Sequence, residues 1–250
     1  MLVKEKKNKW GFGKKFYRKI TRPEGLVSFS VQVKQTDLWI SAKKELKREA
    51  ELFVLSARNQ IEGYIERYPE FSKTLLPWPE DLTAPPVVKD MIRAGRNAGI
   101  GPMSAVAGAI AEYVGKKLLR FSDEVIVENG GDVFLCLNRS VTVGILFGRE
   151  CQIGVKIKED MMPAGVCSSS AKIGHSLSFG KADLVTVFSH SASVADSAAT
   201  AIANRIKKVA DIKELNRWAD QIKGIFGIVA IFNKNISLWG DLEICALLKP

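Results

Sequence analysis

The chain has 250 residues, of which 46% are hydrophobic and 26% are charged. This composition is typical of a globular protein with a large core, so we expect one soluble domain rather than a disordered or fibrous chain. No stretch reaches about 18 consecutive apolar residues, and the first residues lack the apolar segment of a secretory signal, which argues against a membrane partner and against export. We therefore expect a cytoplasmic protein.

Positive charge is concentrated at the beginning of the chain. The net charge is +10, and residues 1–22 contain nine Lys and Arg against one Glu. We predict a basic N-terminal arm over 1–22 and a nearly neutral domain over 23–250. The arm could contact RNA, an acidic partner or a phosphorylated ligand. A solvated arm is the favoured interpretation, because no aromatic platform for stacking bases follows it, and we do not expect nucleic-acid binding.

The first half of the chain predicts a hairpin followed by three helices. Residues Phe29–Ile40 alternate loosely between apolar and polar types and predict two short strands around a turn at 34–37. Ser41 is a candidate cap for a long helix that ends at Pro69. Two further helices are predicted from about Val87 to Ala98 and from about Pro102 to Leu119.

The second half predicts several strands, an alanine-rich helix and a terminal hairpin. The helix spans Ser193–Val209, and a short helix follows near Glu214–Lys223. Strands are predicted at 125–127, 133–137, 141–147, 153–157, 184–188, 225–232 and 236–239. Because strands and helices are mixed without strict alternation, the pattern favours an α+β (mixed α/β) fold, with mixed sheets flanked by helices, over a doubly wound parallel sheet.

Two glycines lie between apolar runs in the stretch Asn129-Gly130-Gly131-Asp132. Paired glycines permit a positive φ and let a ligand or another backbone approach closely. The same four residues are also typical of an ordinary hairpin turn. These residues alone support a binding site and a hairpin turn equally well.

Asp196 also has two interpretations. Ser193 and Asp196 have the spacing of a capping box at the start of a helix. Asp196, Thr200 and Asn204 are spaced by four residues, so they share one helix face, and two oxygen donors one turn apart suit Mg²⁺. Taken alone, the spacing favours the cap.

Two other stretches are candidates for binding phosphate. Gly99-Ile-Gly101-Pro102 leads into a helix N-terminus, where exposed N–H groups and the helix dipole favour an anion. Ser168, Ser169 and Ser170 lie in a Gly/Ser-rich stretch that also contains His175, and they offer N–H and hydroxyl donors. A single histidine in a loop is often only solvated, so the hypothesis of phosphate binding rests on the whole stretch and not on His175 alone.

Taken together, these stretches resemble the ApbE superfamily, whose founding members are FAD:protein FMN transferases. That family has, in order, a glycine-rich turn into a helix, an Asn-x-Gly-Gly-Asp-like strand, a Thr-Ser-Gly/His loop and a late Ala-Asp-Ala-x-x-Thr-Ala helix. The corresponding stretches here are Gly99–Ala111, Glu128–Asp132, Ser168–His175 and Ala195–Ala201. The chain is still more similar to an uncharacterised branch of the superfamily, which shares Gly-Ile-Gly-Pro-Met, Glu-Asn-Gly-Gly-Asp and Ala-Asp-x-Ala-Ala-Thr-Ala.

The resemblance implies a flavin site with a divalent metal. It implies FAD or FMN as the cofactor, and Mg²⁺ held by Asp196, Thr200 and the backbone of Gly101. His175 and Asp196 become the candidate catalytic residues. The candidates for cofactor binding come from the turn, the strand and the loop of the motifs: Gly99, Gly101, Asn129, Gly130, Gly131, Asp132, Ser168, Ser169 and Ser170.

The chain departs from the transferases at two positions. Pro102 stands where they have Lys, and Ala107 stands where they have Asp. We therefore expect an ApbE-like protein that binds a flavin or another small phosphate-bearing ligand with a divalent metal, and we leave open group transfer, a protein target and a homodimer. The alternative is a non-flavin accessory protein of anaerobic sulfur assimilation that acts through protein contacts.

Overall fold

The structure, a computed structural model, describes residues 23–147, 151–170 and 180–246. The basic arm predicted over 1–22 and the loop residue His175 lie outside these ranges. In chain order the strands are β1 (Val27–Val33), β2 (Thr36–Ala42), β3 (Val125–Asn129), β4 (Asp132–Cys136), β5 (Val141–Phe147), β6 (Cys151–Ile157), β7 (Ala164–Ser169), β8 (Leu184–Ser189), β9 (Ile225–Phe232), β10 (Asn235–Gly240) and β11 (Glu243–Ala246).

The strands form two antiparallel sheets. In the described part of the chain, a large sheet has the order β1-β2-β3-β4-β7-β8-β9-β10 and a small sheet has the order β11-β6-β5. The helices are α1 (Lys47–Arg67), α2 (Pro86–Ala98), α3 (Val106–Leu118), α4 (Ala192–Arg205) and α5 (Leu215–Ala219). Within the described ranges, none of these helices has the length and apolar character needed to cross a membrane.

The large sheet separates two hydrophobic cores. Along β9, Ile228 and Ala230 face the core beneath the helices, whereas Val229 and Ile231 face the opposite core, as the two-residue period of a strand requires. The small sheet covers this second core with Ile145, Val155 and Ile157. Because both faces of the sheet are covered at its centre, β8 is buried along its whole length.

Helix α4 lies between the large sheet and two other helices, α2 and α3. Its side chains are mostly Ala and Ser, which allows neighbouring backbones to approach closely. A Cβ atom at Gly165 on β7 would lie 2.4 Å from the Cα of Ala192, and one at Gly108 on α3 would lie 2.3 Å from the carbonyl oxygen of Ala192. Both glycines are therefore required by the close packing around the first turn of α4.

The α+β class predicted from the sequence is confirmed, although the described strand pairs are all antiparallel and not mixed, and several boundaries differ. Ser41 is not a helix cap: it lies in β2, where its hydroxyl is 2.7 Å from that of Ser28 across the hairpin. The alanine-rich helix ends at Arg205, before the predicted Val209. Strand β7 was not predicted, because its small and polar residues have little intrinsic preference for a strand and pairing with β4 and β8 determines its conformation.

We predict that Gly108→Ala destabilises the fold while Gly63→Ala stabilises it. The new methyl group at position 108 collides with backbone, so we expect a loss of about 1–3 kcal/mol in the free energy of unfolding. Gly63 lies inside α1 with open space around it, so Ala should gain about 0.5–1 kcal/mol there. Urea unfolding followed by circular dichroism measures both changes. Two variants of equal stability would contradict the packing described for Gly108.

Candidate functional site

The Asn-Gly-Gly-Asp stretch is the tight turn of the β3–β4 hairpin. Asn129 pairs with Asp132, and Gly130 and Gly131 have φ values of +70° and +113°. These angles suit a two-residue hairpin turn, and glycine adopts them without strain. The hairpin interpretation is confirmed. Because the turn also places Asn129 and Asp132 on the face of the sheet that meets the helices, it does not exclude a site.

Polar contacts attach this turn to the start of α3. The side-chain amide of Asn129 donates to the carbonyl oxygen of Ala107 at 3.0 Å. The backbone N–H of Gly131 donates to Oε1 of Glu128 at 2.8 Å, which closes the turn on itself. Glu128 is buried, so the protein encloses its carboxylate and water does not solvate it. The Glu128 bond holds the shape of the turn, and the Asn129 bond fixes its distance from the first residues of α3.

Asp196 caps a neighbouring helix and not its own. Ser191 is the N-cap of α4, which excludes the predicted capping box of Ser193 and Asp196. Instead, Oδ2 of Asp196 accepts a bond of 2.8 Å from the backbone N–H of Gly108, and its carboxyl also accepts from the N–H of Ala107. Both donors lie in the first turn of α3, where N–H groups have no partner inside the helix.

Glu112 makes the reciprocal contact from α3 to α4. Its Oε2 accepts bonds from the hydroxyl of Ser191 at 2.8 Å and from the backbone N–H of Ser193 at 3.1 Å. Its Oε1 pairs with Lys116 at 2.5 Å. Glu112 is buried and was missed at the sequence level, where one glutamate in a run of small and apolar residues was the available signal. Each helix thus caps the other with a buried carboxyl group.

Asp132 is the second buried carboxyl group of the site. It is 9% exposed, and its Oδ1 has no hydrogen-bond partner among the described residues. The strand register that pairs Val133 with Val166 places Cys167 beside Asp132. The thiol of Cys167 donates to the carbonyl oxygen of Ala192 at 3.3 Å, so the same side chain contacts α4. Asp132 therefore faces the segment of α4 that carries Asp196.

The surroundings of Asp132 favour its protonated form. Burial raises the pKa of Asp132 from 3.8 to about 7, the Cys167 thiol and the Ser168 N–H oppose part of this rise, and the nearby Glu128 carboxylate adds to it. The Asp132 carboxyl group therefore changes charge close to neutral pH.

The surroundings of Asp196 act in the same direction. Burial and the facing Asp132 carboxylate raise the pKa of Asp196 well above its usual value, although two backbone N–H groups oppose the rise. Burial also raises the pKa of the Cys167 thiol, so it remains protonated. In the absence of a bound cation, the site is thus most stable with protonated carboxyl groups.

The two glycines before α3 have structural explanations. Gly99 is the left-handed residue that ends α2, with φ of +73°. A Cβ at Gly101 would lie 2.1 Å from the carbonyl oxygen of Thr74. The carbonyl oxygen of Gly101 accepts two bonds from Ser104, at 2.7 Å from the hydroxyl and 3.2 Å from the N–H. The Ser104 hydroxyl is also 2.9 Å from that of Ser197, so this turn is joined to α4 next to Asp196.

The remaining predicted residues lie around the same end of the sheet. The backbone N–H of Ser168 bonds to Asp132, but the Ser168 hydroxyl lies 2.8 Å from that of Thr186 on the opposite face of the sheet. The alternate neighbours Val166 and Phe188 face the second core, and the two-residue period places the Ser168 side chain on that side. Ser169 ends β7 and Ser170 follows it. Thr200 is half-buried on α4, one turn after Asp196. Within the described ranges, no group of three or more His, Cys, Asp or Glu side chains is arranged to hold a metal ion. The described site therefore contains a pair of carboxyl groups with hydroxyl and backbone groups around it.

Comparison with known sequences identifies relatives over most of the chain. A family model described as AbpE bacteria matches residues 18–222. A UPF0280 protein of Methanocaldococcus jannaschii is 36% identical over 219 residues, which cover 84% of this chain and 89% of the relative. A UPF0280 protein of Methanopyrus kandleri is 42% identical over 181 residues, which cover 72% of this chain and 74% of the relative.

Comparison with solved structures identifies the fold. The flavin transferase ApbE from Vibrio cholerae superposes with a TM-score of 0.59, covering 87% of this chain and 97% of that chain at 13% identity. The apo flavinyl transferase ApbE of Pseudomonas stutzeri superposes with a TM-score of 0.57, covering 86% and 94% at 12% identity. At this level of sequence identity, the structural similarity establishes a shared fold but not a shared reaction.

We predict that Asp132 makes the metal-free protein less stable as the pH rises. Because its folded-state pKa of about 7 lies above its ordinary 3.8, the folded state binds more protons between these values, and stability falls as pH increases through this window. The slope contributed by one carboxyl group is at most about 1.4 kcal/mol per pH unit. Asp132→Asn should remove it, as measured by urea unfolding from pH 5 to 8 with EDTA. Parallel curves for the two proteins would contradict the assignment.

Proposed function

Because the chain belongs to the family described as AbpE bacteria, we propose that the cleft between the β3–β4 turn and the start of α3 binds a flavin nucleotide, FAD or FMN, or another phosphate-bearing ligand. A divalent metal ion, Mg²⁺ in the simplest case, joins the ligand to the protein. The flavin transferases that share the fold supply the ligand class, and the proposal extends that class to this chain.

The facing carboxyl groups of Asp132 and Asp196 are the observation that carries the proposal. Two buried carboxylates cannot both ionise at low cost unless a cation lies between or beside them. Carboxylate and hydroxyl oxygens are ligands that Mg²⁺ prefers, and Mg²⁺ usually completes its coordination with water and phosphate. Asp196 and Thr200, one turn apart on α4, are the proposed side-chain ligands. When bound, the ion neutralises negative charge on the phosphate groups.

The hairpin turn is the proposed contact surface for the ligand. Among the described residues, a Cβ built at Gly130 or at Gly131 meets no atom within 4 Å, so this part of the chain leaves the space beside the turn open. Asn129 and Asp132 flank this space, and Ser169 and Ser170 lie at the neighbouring end of β7. Gly99 and Gly101 are proposed to contact the ligand through their backbone, in the segment that leads into α3. A flat ring or a phosphate group can therefore approach the turn without displacing a side chain of the described ranges.

Group transfer is the second part of the proposal. Transfer of FMN from FAD to a protein hydroxyl would form a phosphoester bond and break the FAD pyrophosphate, with AMP as the leaving group. His175 is the proposed base that would accept the hydroxyl proton, and Asp196 would hold the metal that neutralises charge on the pyrophosphate. The Lys and Asp of the transferases are replaced by Pro102 and Ala107, so any transfer depends on the metal and the loop rather than on those two side chains. Binding is the primary proposal, and it is independent of this step.

We predict flavin binding that requires a divalent metal and Asp196. Titration of FAD and FMN, followed by flavin fluorescence with Mg²⁺ and again with EDTA, measures the affinity. Asp196→Asn keeps the size of the side chain but removes its charge, so the Mg²⁺-dependent affinity should fall about tenfold or more. Thr200→Val should have a smaller effect in the same direction. Asp220→Ala, at an exposed position, is the control and should bind like the unmodified protein.

Two results would contradict the proposal. One is the absence of saturable binding at millimolar flavin. The other is binding that is equal with Mg²⁺ and EDTA and equal in the Asp196→Asn protein, since the ligand would then lie elsewhere. Circular dichroism of each variant shows whether the fold is intact before its affinity is compared.

A further inference from the structure

Asp132 offers the site an oxygen atom that the fold leaves unused. It is the first residue of β4, directly after the hairpin turn, and it is nine-tenths buried. Its Oδ1 has no hydrogen-bond partner among the described residues. A buried polar atom without a partner is destabilising, so the fold retains an unfavourable group unless something binds there.

Asp132 lies beside a strand residue that contacts the helix carrying Asp196. Cys167 lies beside Asp132 on the adjacent strand, and its thiol bonds to the carbonyl oxygen of Ala192 at 3.3 Å. Ala192 and Asp196 are four residues apart on α4, so they lie on the same face of that helix. The two carboxyl groups therefore approach each other from the sheet and from the helix, with the Cys167 side chain between their backbones.

The backbone of Gly101 is a poor alternative as the third metal ligand. Its carbonyl oxygen already accepts two hydrogen bonds from Ser104, at 2.7 and 3.2 Å. A carbonyl oxygen has two lone pairs, so both of its acceptor positions are in use. Metal coordination there would require Ser104, and the contact from Ser104 to Ser197 on α4, to move. Coordination by Oδ1 of Asp132 would require no bond to break.

We infer, resting on the proposed function, that Asp132 is a ligand of the divalent cation, so that one carboxylate from the sheet and one from α4 hold the ion. Two carboxylates balance the charge of a divalent cation within the buried site. The cation therefore binds to the protein alone, before any nucleotide, and the phosphate-bearing ligand completes the coordination afterwards. Without the cation, the two carboxyl groups offer no positive charge to an approaching phosphate.

Binding of Mn²⁺ alone tests this inference in the full chain without nucleotide. Free Mn²⁺ is measured by its electron paramagnetic resonance signal during a titration. We expect one ion per chain, and Asp132→Asn should weaken its binding about tenfold or more. The control is Glu124→Gln, which also converts a buried carboxylate to an amide. Glu124 pairs with Lys43 at 2.6 Å at the opposite end of β3, so its substitution should change Mn²⁺ affinity by less than about twofold.

The outcomes separate this inference from the proposed function. Mn²⁺ binding that is equal in the Asp132→Asn and unmodified proteins, or absent from the unmodified protein, overturns the role of Asp132. Loss of Mn²⁺ binding in Asp132→Asn but not in Glu124→Gln supports it, even if no flavin binds, in which case the cation site stands and the flavin proposal fails. Thermal unfolding of each variant, with and without Mn²⁺, shows that a loss of binding does not reflect a loss of the fold.

Discussion

Reciprocal capping of α3 and α4 by buried carboxyl groups is the constraint on which the geometry of the site depends. Asp196 accepts from the first turn of α3, and Glu112 accepts from the first turn of α4. N–H groups at a helix start have no partner within the helix, so each helix satisfies donors of the other. Each carboxyl group lies at least one turn inside its own helix, and the two contacts together fix how far one helix can slide along the other. Gly108, which has no space for a Cβ, then sets their separation.

This reciprocal capping changes what the start of α3 can bind. A free helix N-terminus attracts phosphate through its N–H groups and its dipole, which is the role predicted for the turn at Gly101. In the folded protein, the carboxyl group of Asp196 already occupies the N–H groups of Gly108 and Ala107. A phosphate that approaches this end meets a carboxyl group instead of unpaired donors. A divalent cation beside the carboxyl group would make this contact favourable, which supports the proposal of a metal-dependent ligand over that of a bare anion.

The sequence predicts local features of this site well and contacts between distant elements poorly. The hairpin at Asn129–Asp132 is predictable because turn geometry depends on adjacent residues. The capping box assigned to Asp196 was wrong because its partners, Gly108 and Ala107, are about 90 residues away in the chain, and no local pattern reports them. Glu112 was missed for the same reason. The order of the motifs and the resemblance they carry brought Asp132 and Asp196 into one hypothesis, whereas the spacing of either residue alone favoured or allowed a purely structural role.

Position 107 shows how a backbone can hold neighbouring elements together whatever side chain it carries. Ala107 has no side chain to match the Asp of the transferases that the sequence resembles. Its backbone nevertheless joins the two halves of the site, because its carbonyl oxygen accepts from Asn129 at 3.0 Å and its N–H donates to Asp196. Substitution of a side chain leaves these bonds intact, so the position can lose a carboxylate without displacing the hairpin or α4. Backbone contacts therefore hold this part of the architecture, and Asp132 and Asp196 are the carboxyl groups that remain at its centre.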